Sequence, residues 1–85
     1  MNYNEIFQEL EQIITSNDAV FADAARTIKD IAQQCQSGQM SADETQAVLA
    51  DVQAQLEIIN DMGQLSMKQT LHTVINGLIA LAGAV

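Results

Sequence analysis

Proline and tryptophan are missing from this 85-residue chain, and it has one cysteine, one tyrosine and two phenylalanines. With aromatics this scarce and no β-branched residues in alternation, the composition argues against an all-β domain. Four glycines and no proline rule out a collagen-like repeat. A lone Cys35 cannot close an intrachain disulfide, so no disulfide scaffold holds the fold, and a reducing compartment suits it. Only Arg26, Lys29 and Lys68 are basic, against eleven acids, for a formal charge of −8. Binding nucleic acid requires cations to displace counterions from phosphates, and this chain has almost none. An anionic membrane surface would repel it for the same reason. Typical catalytic side chains are scarce too, which argues against most enzyme classes.

Alanine, leucine, isoleucine, glutamine and acids make up most of what is there. A chain this short buries only about 60 % of the surface its unfolded form exposes, so one marginal core is expected. The expected organisation is a single domain over 1–85, an N-terminal helical hairpin (1–37) followed by an acidic helix and an apolar C-terminal helix (38–85). The start, Met1-Asn2-Tyr3-Asn4-Glu5, lacks the basic and apolar regions of a signal peptide, so cytoplasmic synthesis without export is expected, with incorporation into a particle as an option.

Four apolar-periodic segments run along the chain. Ile6, Phe7, Leu10, Ile13 and Ile14 mark one face of a helix over about 3–15, with Asn2 and Glu5 placed as a reciprocal capping pair. Thr15-Ser16-Asn17-Asp18 is a break. Phe21, Ala25, Ile28, Ala32 and Cys35 then step by four and three over about 18–36, with Val20, Ala24 and Ile31 widening the stripe. Gly38 is suited to a left-handed helix cap. Ser41-Ala42-Asp43-Glu44 matches the capping box, opening a helix over about 41–62 with Leu49, Val52, Leu56 and Ile59 as its seam. The next series, Met67, Leu71, Val74, Leu78, Leu81 and Val85, begins eight residues after Ile59. That slip of one rotates the stripe by roughly 100° on a continuous helix. A turn at Met62-Gly63-Gln64-Leu65, with Ser66 as the next cap and a last helix over about 66–82, resolves it. One long kinked helix from Ser41 is the competing reading, since a single glycine costs only about 1 kcal/mol.

The expected fold is therefore all-α, three or four amphipathic helices in a small antiparallel bundle completed by oligomerisation or a partner. Its expected core is Ile6, Leu10, Ile13, Phe21, Ile28, Ile31, Leu49, Val52, Leu56, Ile59, Leu71, Val74, Leu78 and Leu81.

Candidate chemistry is thin. Glu5/Glu9 and Glu57/Asp61 are i,i+4 carboxylate pairs, but the Glu-x-x-His pattern of a bundle di-metal site fails because Gln69 precedes His72. His72 and Cys35 lack an orienting third group for nucleophilic catalysis. No phosphate loop, zinc spacing or dinucleotide fingerprint occurs. No catalytic residue, metal ligand or cofactor is assigned, and a non-enzyme is expected. Residues 69–85 carry no charged side chain. They are too few to span a bilayer, which takes about 20 mostly apolar residues, and the first half of the run is polar.

That C-terminal stretch needs cover, and its face of Met67, Leu71, Val74, Ile75, Leu78, Leu81 and Val85 is the candidate interface. The leading expectation is a structural or assembly subunit that docks this face on copies of itself or on a larger protein. The first alternative is a small acidic monomeric inhibitor or adaptor acting through the anionic face of helix 41–62, Asp43, Glu44, Asp51, Glu57 and Asp61. The second is membrane association through 66–85. In composition (short, acidic, glutamine-rich, with an apolar end) the chain resembles small subunits of viral particles and other large assemblies. That likeness implies a structural role and assigns no residue.

Overall fold

Four helices follow one another: α1 (Tyr3–Ile14), α2 (Ala19–Gln36), α3 (Ala42–Ile58) and α4 (Leu65–Gly83). The computed structural model describes residues 2–16, 18–58 and 65–83, and among them there is no strand.

Local signals set the helix starts. Asn2 Oδ1 accepts from the Glu5 amide at 2.9 Å while Glu5 reaches back to the Asn2 amide, closing the capping box of α1. Asp18 caps α2 by accepting from the amides of Val20 and Phe21, both at 3.1 Å. Ser41 Oγ accepts from the Glu44 amide at 3.1 Å, and the Glu44 carboxylate returns to the Ser41 amide at 3.3 Å. Each cap satisfies amides that lack an intrahelical partner. After α2, Gly38 takes a φ of +80°, the left-handed conformation that stops the helix.

Packing then fixes the arrangement. The α2 and α4 helices touch each other and both of the others, whereas α1 and α3 do not meet among the described residues. So α2 and α4 form the centre, flanked by α1 on one side and α3 on the other. Side-chain contacts join α1 to α2 and α3 to α4. Tyr3 meets Cys35 and Glu11 meets Lys29 across α1 and α2. Gln53 meets Asn76 and Glu57 meets His72 across α3 and α4. The Cα radius of gyration is 12.1 Å, close to the ~12 Å of a compact chain this long.

The turn proposed at 62–65 falls on residues outside the described ones, except Leu65, which is helical. The contact between Glu57 and His72 nevertheless excludes one continuous helix from Ser41. Fifteen residues of helix would hold those side chains roughly 22 Å apart. Ser66 is not a cap: α4 starts before it, and its carbonyl accepts from Thr70 Oγ1 inside the helix.

Ile6, Leu10, Ile13, Phe21, Ile28, Ile31, Leu49, Val52, Leu56, Leu71, Val74 and Leu78 are all buried, as their spacing predicts. Two expectations fail. Leu81 is only half-buried and Ala82 takes the buried place beside it, because the end of α4 turns its smaller residue inward. Val20 does not widen the α2 stripe but is 55 % exposed. Ile59 and Val85 lie outside the described residues. The core also takes in Ala22, Ala25, Ala32, Ile75 and one polar residue, Thr45. Thr45 is tolerated there because its hydroxyl donates to the Ser41 carbonyl at 2.8 Å.

Candidate functional site

The proposed α4 docking face is largely internal. Leu71, Val74, Ile75 and Leu78 are each 0 % exposed, covered by the chain's own helices. In this fold they cannot also be a free surface. Their face looks oily in sequence because α4 packs against α1, α2 and α3 at once. Of the remaining residues of that set, Met67 and Leu81 are half-buried at its edge. No helix among the described residues is long and apolar enough to cross a membrane.

The acids of α3 stand outside. Asp43, Glu44, Asp51 and Glu57 are all exposed, and Asp61 lies outside the described residues. No lysine or arginine occurs in α3. The two cations of α2 are engaged elsewhere: Arg26 pairs with Asp23 at 2.9 Å, and Lys29 pairs with Glu11 across to α1. The side of the molecule formed by α3 thus presents four exposed acids and no lysine or arginine of its own.

His72 and Cys35 sit in different seams. Cys35 Sγ lies 3.3 Å from the Tyr3 hydroxyl between α1 and α2. That contact, aided by burial and by the charge of the cysteine, pushes the Tyr3 phenol up to about 12. The Tyr3 ring also stacks near Phe7, centroids 6.5 Å apart. His72 Nε2 is 3.1 Å from Glu57 Oε1, close enough for charge attraction but out of line for a hydrogen bond. Among the described residues no three histidines, cysteines or acids gather in a way that could hold a metal ion.

Sequence reasoning missed the surface between α2 and α3. An open groove of about 310 Å³ runs there, with Val52 and Leu56 at its floor and Val20, Ala24, Asp23, Thr27 and Gln55 around it. Val20 was the available signal: it lies beside the core stripe of α2 yet one position off its centre, so it stays partly exposed at the groove. No protein-family profile, curated protein or solved structure matches this chain.

Proposed function

We propose that this protein is a small, non-enzymatic binding module that works as a self-contained four-helix unit and meets its protein partner through the acidic α3 side. The architecture we propose is an antiparallel bundle, supported by the opposed residue pairs of α1 with α2 and of α3 with α4. The observation that carries the functional reading is the full burial of Leu71, Val74, Ile75 and Leu78 inside the chain. An assembly subunit held together through that face would have to open its own core first. A module that keeps it closed must use its surface, and the outstanding features of that surface are its charge and the groove beside it.

The charge has a physical use. An exposed anionic helix speeds encounter with cationic partners and disfavours anionic ones. It also keeps free chains apart. Sedimentation velocity over a wide range of concentration tests the reading. A constant mass of 9.2 kDa supports a monomeric module. A mass that climbs with concentration overturns it in favour of the assembly subunit, whether closed as an oligomer or built into a particle.

A further inference from the structure

We propose that the groove between α2 and α3 is the docking site for a cationic amphipathic helix of a partner protein; this rests on the binding-module reading above. Two observations meet there. The first is apolar: Val52 and Leu56 line the floor, Val20 stands 55 % exposed on the α2 wall, and Ile58 stands 80 % exposed. Ile58 follows Gln55, a lining residue, by three positions, so it lies one turn on along the outer flank of the groove. Val20, Ile58 and Leu65 are the exposed large hydrophobics among the described residues, and of these Val20 lines the groove while Ile58 lies at its α3 flank.

The second observation is charge. Asp51 lies one turn before Gln55 on α3 and Glu44 about two turns before Val52, with no lysine or arginine in the helix, whereas Glu57 faces α4 against His72. A second copy of this chain would bring acids against acids, and a nucleic acid or an anionic lipid surface would do the same. The occupant that complements both features is a helix with apolar anchors at i, i+3, i+4 and i+7 and basic residues flanking them. Asp23 is already held by Arg26, so the attraction comes chiefly from α3.

The test uses the full chain and a synthetic helical peptide of about 14 residues, leucine at the anchor positions and lysine elsewhere, followed by anisotropy and by amide chemical shifts. A scrambled peptide of equal composition is the control. The proposal expects saturable binding that perturbs Val20, Ala24, Gln55, Leu56 and Ile58. It also expects at least ~10-fold weaker binding of the scrambled peptide and a similar loss between about 0.05 and 0.5 M salt. Val20→Ser with Ile58→Ser, two exposed positions, should weaken binding by ~10-fold with an unchanged circular dichroism spectrum. Equal binding of the scrambled peptide, or shifts confined to other faces, overturns the groove while leaving a monomeric acidic module standing. Self-association that perturbs the same α2–α3 amides overturns both.

Discussion

The hydroxyl of Tyr3, at the start of α1, lies 3.3 Å from the sulfur of Cys35, near the end of α2. This pair ties the open ends of the first two helices together, and it makes the fold sensitive to alkali. The folded phenol ionises at about 12, against 10.0 for an unperturbed tyrosine, so the protonated form favours the folded state. Its contribution is complete below pH 10 and is lost as the pH rises from about 10 to about 12. The melting temperature of the natural chain should therefore fall more steeply across that window than that of Tyr3→Phe. Thermal melts at stepped pH measure the difference; parallel curves would show that the phenol does not titrate against the fold.

Leu78 distinguishes a core residue from a docking residue. It is 0 % exposed within the chain. Leu78→Ala should cost about 2–5 kcal/mol by removing buried methyl groups and leaving a cavity. Leu78→Asp should unfold the protein, because an unpaired buried carboxylate exceeds what a fold stable by about 5–15 kcal/mol can absorb. Urea melts and circular dichroism provide the readout. A folded Leu78→Asp chain that has merely lost self-association would return α4 to the role of an interface.

Ser41 should be worth more than its exposure suggests. Its hydroxyl holds the Glu44 amide and its own amide is held by the Glu44 carboxylate. Ser41→Ala should destabilise the chain by about 1 kcal/mol, and Ser41→Asp should restore most of that, since aspartate caps as well as serine. Denaturant midpoints for the two variants decide it.

Gly38 offers a cleaner backbone test. A Cβ there would meet nothing within 4 Å, yet φ is +80°. Any loss on Gly38→Ala is therefore conformational, with no steric clash to confuse it, and should come to about 1–2 kcal/mol. Gly38→Asn should cost less, because asparagine tolerates the left-handed region better. Equal stability of glycine and alanine at this position would mean the α2–α3 connection relaxes to another turn.

The four helices and the starts of the first three were legible in the sequence because they are local, whereas the cap read at Ser66 for α4 was not found. Asn2 and Glu5, Asp18, and Ser41 and Glu44 are close enough along the chain to find each other whatever the rest does. Most of the core was legible as well, since burial follows from apolar residues recurring on one face. The destination of a face was not. Leu71, Val74, Ile75 and Leu78 read equally well as a surface for another protein or as the inside of this one. Periodicity tells which side of α4 is oily but not how many neighbours surround it. The α2–α3 groove was hidden for the same reason, since it depends on how two helices separate in sequence sit against each other.

The amino-acid order by itself determined that this is an acidic helical chain, where its first three helices begin, and most of the stripe of each that avoids water. These follow from hydrogen bonds and side-chain spacings within a few residues. Tertiary structure decided that α2 and α4 sit at the centre, that the C-terminal apolar face is enclosed, and that an open groove runs between α2 and α3. Those outcomes depend on helices distant in sequence sharing one small volume, where enclosing the most apolar face first leaves the less apolar seam at the surface.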